Sequence, residues 1–113
     1  MNDKIIESAM KIILYAGDAR VCCNDALDAA ISGKFDETED QMAKAHIFIV
    51  KAHKIQTEII QDEARGKAQK YSMLFTHAQD TLMTINSEIV LVKKIIKFTK
   101  KTEDRLRKLE ENK

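Results

Sequence analysis

His77, Gln79 and Asp80, in the stretch FTHAQDTLMT at positions 75–84, are the residues of this chain best suited by type and spacing to chemistry. An imidazole titrates near neutrality and can exchange a proton or act as a nucleophile. A carboxylate in apolar surroundings is costly unless it is paired, protonated or bound to a cation. All three residues lie in an apolar run from Tyr71 to Val92 whose only formal charges are Asp80 and Glu88, with no Lys or Arg inside it to pair with them. Spacing alone leaves His77 open to two readings, a hydrogen-bonded structural residue or a catalyst.

At about 100° per residue on a helix, Met73, Asp80, Thr81 and Thr84 fall within about 60° of His77, whereas Gln79 lies about 200° around. Gln79 is therefore out of reach of the His77 on its own helix, but in an oligomer it could serve a neighbour's histidine. If symmetry gathers several copies of Asp80 at one axis, their repulsion needs a bound metal or shared protons. His53, Gln56 and Thr57, in AHKIQT, form a second polar cluster at helical spacing that could face the His77 patch or simply satisfy itself. His46 and His53 are seven residues apart and lack a third ligand, which makes a poor metal site. Asp18 and Arg20, in YAGDAR, could bond within or between helices, and Gly17 beside them suggests a close helix approach. Cys22 and Cys23 are neighbours that cannot bridge each other without strain, and they read as small core residues of a reduced protein. No nucleophile elbow, phosphate-cradling loop or dinucleotide fingerprint is present.

The elements that must position these residues are helices. The 113 residues include no proline and three glycines, and helix formers dominate. Apolar residues from Ile5 to Ile31 recur at three-and-four spacing behind possible N-caps Asn2 and Asp3, and Ser32–Gly33 ends that helix. Asp36 and Glu39 have the form of a capping box, so a second helix begins near Phe35 or Asp36 and ends at Arg65–Gly66. A third starts close to Ala68 and runs at least to Phe98, continuing into a charged extension from about residue 100. The expected fold is all-α, an antiparallel up-down-up three-helix bundle forming a single domain over 1–113. The third helix is uncharged nearly all round between Tyr71 and Val92, so a further copy of the chain is the economical cover for it.

Net charge is +1, which gives no footprint for nucleic acid. The distribution is less even: from Lys93 onward there are nine Lys or Arg against four acids, a solvated face or a docking surface for an acidic partner. The Tyr71–Val92 run is long enough to span a bilayer, but His77, Gln79, Asp80, Asn86 and Glu88 argue against membrane insertion.

HAQDTLMT at 77–84, AHKIQT at 52–57 and YAGDAR at 15–20, in that spacing and with the SGKFDE turn at 32–37, resemble the lactose/cellobiose-type enzyme IIA component of the bacterial phosphoenolpyruvate-dependent sugar phosphotransferase system. The resemblance covers roughly residues 3 to 100. It implies a cytoplasmic homotrimer with a nine-helix core, in which His77 accepts a phosphoryl group from the phosphocarrier protein HPr. The group then passes to a cognate enzyme IIB during sugar uptake. It further implies that Asp80 of three subunits shares a divalent metal, usually taken as magnesium, and that Gln79 lies near the active histidine. Thr76, His53 and Gln56 are further candidate phosphate donors. Thr81 departs from the family, which commonly has His there. HAQD rather than HGQD leans toward a cellobiose, chitobiose or β-glucoside substrate over lactose. A regulatory or structural trimeric module of the same fold, acting by binding alone, is the alternative.

Overall fold

In the computed structural model, which describes residues 3–67 and 71–112, the chain forms three helices: α1 (Asp3–Ile31), α2 (Phe35–Ala64) and α3 (Met73–Glu111). No strand occurs among the described residues. The two turns stop their helices by the same chemistry. Gly33 and Gly66 take φ of 74° and 85°, a left-handed conformation that costs other L-residues about 1–2 kcal/mol. Beside the first, Lys34 N donates to Ala29 O at 2.8 Å and Gly33 N to Ala30 O at 3.0 Å; beside the second, Lys67 N donates to Asp62 O and Gly66 N to Glu63 O, both at 3.1 Å. These paired bonds satisfy carbonyls that a helix end would otherwise leave free.

Helix α2 begins at Phe35, as the sequence predicts, while its cap and the start of α3 differ from expectation. Asn2 lies outside the described residues, and Asp3 is already the first residue of α1. The Asp36–Glu39 box does not form: Lys34 is the N-cap of α2 and makes no side-chain cap bond. Asp36 and Glu37 instead put negative charge in the first turn of α2, where the helix dipole favours it. The third helix begins at Met73, later than Ala68, which lies outside the described residues. Ser72 adopts an extended backbone, and its hydroxyl accepts a hydrogen bond from Phe75 N at 3.2 Å. Serine is among the best N-caps, but the apolar spacing on either side of it conceals that signal.

α1 is the centre of the packing. It lies against both α2 and α3, which touch each other little. Its buried stripe is Ile5, Ala9, Ile12, Ala16, Ala19, Cys22, Cys23, Ala26, Ala29 and Ala30. Ala45, Ile49, Ala52 and Ile59 meet it from α2, and Ala78, Leu82, Ile85, Ile89 and Val92 from α3. Ile12, Leu82 and Ile85 are the largest side chains hidden almost completely, each contributing about 1.5–3 kcal/mol by leaving water.

Polar contacts set the ends of the helices in register. Lys4 at the start of α1 pairs with Asp62 at the end of α2 at 3.4 Å. The buried Thr38 hydroxyl, near the start of α2, lies 3.2 Å from both Ala26 O and Lys34 O. Between α1 and α3, Arg20 donates through Nε and Nη2 to Glu88 Oε2 at 3.0 and 2.8 Å. The molecule is a rod about 70 Å long.

Large apolar side chains remain outside. On α1 these include Ile6, Met10, Leu14 and Val21; on α3 they include Met73, Met83, Val90, Leu91 and Phe98. Single exposed apolar residues need no explanation, but runs along two helices do. No described helix is long and apolar enough to cross a membrane.

Two predictions follow from the turns and the core. Gly33→Ala should lower stability by about 1–2 kcal/mol, read by urea unfolding at fixed chain concentration, because its left-handed φ disfavours a Cβ. Cys22 and Cys23 are free and buried, and burial pushes both thiols above their ordinary 9.0. Both should resist a maleimide at pH 7 in the native protein and react once urea unfolds it.

Candidate functional site

The cap at Ser72 decides where His77 stands. With α3 beginning at Met73, His77 lies one turn inside the helix rather than in its middle. Helical side chains lean back over the preceding turn, here toward Met73 and Leu74. The first N–H groups of a helix lack intrahelical partners and carry partial positive charge, which makes this end favourable to an anion. Phe75 N is taken by Ser72 Oγ, and Thr76 N by Ser72 O at 3.1 Å.

His77 and Asp80 are both exposed, and among the described residues no hydrogen bond or ion pair engages either side chain. Met73 and Thr84 are exposed on the same side, and Thr81 is half-buried with its hydroxyl donating to His77 O at 2.8 Å. That bond fixes the Thr81 hydroxyl onto the backbone of the histidine.

Gln79 lies elsewhere. It is half-buried, and its Oε1 accepts from Gln56 Nε2 of α2 at 3.2 Å. With its oxygen occupied, the Gln79 amide has N–H groups left to donate. Within one protomer the structure thus brings Gln79 and Gln56 together and leaves His77 and Asp80 on another side of α3. The angular separation along the helix foretells this division. His53 is half-buried and Thr57 exposed on α2. The Thr76 hydroxyl donates to Ser72 O at 3.1 Å. A shallow cavity of about 160 Å³ opens at the start of α3, lined by Tyr71, Ser72, Phe75, Thr76 and Gln79 with Ile5 and residues of α2. Glutamine and threonine, not histidine, supply its polar groups on α3.

Two contacts were hidden in the sequence. Glu88, which lacks a basic partner in its own run, finds Arg20 of α1. The Tyr15 ring stacks on Phe48 at 6.5 Å, and Lys51 Nζ lies 5.6 and 5.8 Å from the two ring centres. Asp18, beside Arg20, has no side-chain hydrogen bond or ion pair among the described residues.

Residues 7–100 match the family described as the lactose/cellobiose-specific IIA subunit of the PTS system. The chain is 38% identical over 100 residues to a lactose-specific EIIA component from Staphylococcus epidermidis, spanning 88% of this chain and 96% of that one. It is 36% identical over 106 residues to a lichenan-specific phosphotransferase enzyme IIA component from Bacillus subtilis, spanning 93% and 96% of the two chains. The crystal structure of the cellobiose-specific enzyme IIA from Bacillus anthracis superimposes with a TM-score of 0.83 at 40% identity, over 87% of this chain and 90% of that one. Taken together with the all-helical fold, these matches mean that the chain belongs to the lactose/cellobiose-specific IIA subunit family of the phosphotransferase system.

Proposed function

We propose that the chain is a phosphoryl carrier that accepts a phosphoryl group on His77 from the phosphocarrier protein HPr and hands it to a cognate enzyme IIB during sugar uptake. The observation that carries this reading is an exposed imidazole with no side-chain partner among the described residues, one turn from the N-terminus of α3. Family membership supports the class of reaction. In the first step a ring nitrogen of His77 attacks the phosphorus of the donor. The N–P bond to His77 forms as the donor's bond to phosphorus breaks. In the second step a nucleophile on enzyme IIB attacks the same phosphorus and His77 is the leaving group. A phosphoramidate suits both steps, since it is labile enough to be passed on.

The chain's task is to hold spread-out negative charge in place. The start of α3 lends its partial positive charge. Gln79, oriented by Gln56, supplies amide donors, and because it faces away from its own His77 it serves the His77 of an adjoining copy. Thr76 and His53 are further donors in this reading. The Thr76 hydroxyl must first leave Ser72 O. Exposed Tyr71, Met73 and Met83 give an apolar, adaptable rim for two partners that dock in turn.

The working unit in this reading is a cytoplasmic homotrimer of up-down-up bundles, one domain per chain, with α3 of each copy near the axis. Asp80 of the three subunits then faces a common point. Within one protomer the described residues contain no group of three His, Cys, Asp or Glu that could hold a metal, so one Asp80 alone is a poor site. Three carboxylates from three copies fit a hard divalent cation such as magnesium, whose charge would offset theirs. The substrate is a disaccharide of the cellobiose, chitobiose or β-glucoside type, on the basis of HAQD. Ala78 is fully buried, so this letter marks lineage rather than a contact with sugar.

Incubation with phosphoenolpyruvate, enzyme I and HPr should add one phosphate per chain, stable to base and lost in mild acid. Labelling of His77→Gln to the level of the parent would overturn the assignment, and an unlabelled parent would mark a module that acts by binding alone. Asp80→Leu should remain helical by circular dichroism and lose bound metal. A chelator should weaken assembly of the parent but not of Asp80→Leu, read by light scattering, because the leucines remove both the repulsion and the need for a cation.

A further inference from the structure

Glu103 of α3 stands beside Gly33, in the turn that joins α1 to α2, and α3 runs on from there to Glu111. Its last part therefore reaches about 12 Å past that turn. The apolar residues of this half of α3 keep a seven-residue repeat. Leu91, Phe98 and Arg105 are seven apart, and so are Ile95, Thr102 and Leu109, the two sets alternating at spacings of four and three. That is the pattern of a coiled-coil seam. Leu91, Ile95, Phe98 and Leu109 are 60%, 42%, 72% and 65% exposed, so one protomer leaves the seam largely uncovered. At about 100° per residue, Leu91 and Phe98 lie within about 20° of Asp80. In the trimer reading above, the seam faces the axis as Asp80 does.

The charges along this seam have one sign. One flank carries Lys94, Lys101 and Lys108, and the other Val92, Thr99 and Leu106. The acids of the segment, Glu103 and Asp104, lie off the seam, and Asp104 pairs with Arg107 at 2.8 Å. Arg105 is exposed within the seam and makes no side-chain hydrogen bond or ion pair among the described residues. The residues one turn to either side of it are Lys101, Thr102, Lys108 and Leu109, none of them acidic. In a lone protomer water solvates the guanidinium. At an axis, three guanidiniums held between the Phe98 and Leu109 layers repel one another, and no carboxylate of the seam offsets them.

We infer that Arg105 of three copies forms an anion site on the assembly axis, and that its ligand is a phosphate-class oxyanion. This rests on the trimer reading above and goes beyond it. A guanidinium presents paired N–H donors in a fork that matches two phosphate oxygens, so three forks can share one tetrahedral anion. Lys101 and Lys108 add positive charge on either side. The site lies about 42 Å along α3 from His77, too far to take part in phosphoryl transfer. Its effect is on assembly: an anion held there ties the ends of three α3 helices together, so the trimer tightens as phosphate rises. The axis then has opposite needs at its two ends, a cation at Asp80 and an anion at Arg105.

The test is sedimentation of the full chain in sodium chloride and in sodium phosphate of equal ionic strength, with magnesium held constant. Phosphate should lower the parent's dissociation constant for assembly at least about tenfold. Arg105→Leu, checked for helix by circular dichroism, should assemble more tightly than the parent in chloride and show no response to phosphate. Arg107→Leu, which lies off the seam, should keep the parent's response. Equilibrium dialysis should find one phosphate per three chains of the parent and none on Arg105→Leu. Glucose 6-phosphate in a parallel series separates a free ion from a phosphorylated small molecule, the tighter of the two being the ligand. If the parent assembles equally in both salts and binds no phosphate, or Arg105→Leu responds as the parent does, this inference falls while the trimer stands. A parent that stays monomeric in every condition overturns the trimer and the anion site together. Phosphorylation of His77 is read separately from either result.

Discussion

Alanine at the lines where the helices meet is the constraint on which the rest of this structure depends. Ala9, Ala16, Ala19 and Ala26 of α1, Ala45 and Ala52 of α2 and Ala78 of α3 are all completely buried. A single methyl at each crossing lets the axes approach toward the lower end of the usual 8–10 Å. The core is correspondingly thin, with Ile12, Leu82 and Ile85 filling the gaps between the alanines. α1 occupies the middle, and α2 and α3 lie on two sides of it with little contact of their own. A helix held by one neighbour can hide only one stripe. The bare outer face of α3, with His77 and Asp80 on it, is thus a direct result of how narrow the packing is.

That narrowness also separates the polar groups into two sets. Gln79 turns inward enough to meet Gln56 on α2, and the pair satisfies one donor and one acceptor where water is partly excluded. His77 and Asp80 turn outward and remain without partners among the described residues. A phosphohistidine at His77, as proposed, would need access and donors at once, and one protomer offers these on different sides. The proposed assembly of several copies would supply both in one place. In a monomer the outward Asp80 is solvated at no cost, and the expense of a carboxylate in apolar surroundings arises only when copies come together.

Much of this is readable in the sequence, for identifiable reasons. Helix number, the two glycine stops and the apolar stripes follow from periodicity and from the positive φ that Gly33 and Gly66 supply. The opposition of His77 and Gln79 follows from helix geometry alone. The start of α3 does not, because Ser72 lies between apolar residues that continue the helical spacing on both sides. Misplacing it by a few residues makes His77 look mid-helix and conceals the partial charge beneath it. The Asp36–Glu39 pattern fails because Lys34, not Asp36, is the residue at the cap. The Arg20–Glu88 pair joins residues far apart in the chain, and no local spacing can announce it.

The far end of α3 has a consequence for how the molecule is made. Lys100 lies over the Phe35 ring at 6.0 Å, and Glu103 stands 3.5 Å from where a Cβ on Gly33 would be. The first turn is therefore braced by a segment synthesised well after α1 and α2. Until that segment emerges, α1 and α2 can pair through Thr38 and the Tyr15–Phe48 stack while Ile12 and its neighbours wait for Leu82 and Ile85. An α1–α2 hairpin without α3 leaves uncovered the apolar side of α1 that Leu82 and Ile85 pack against, so the interval before α3 arrives is the one in which that surface meets water.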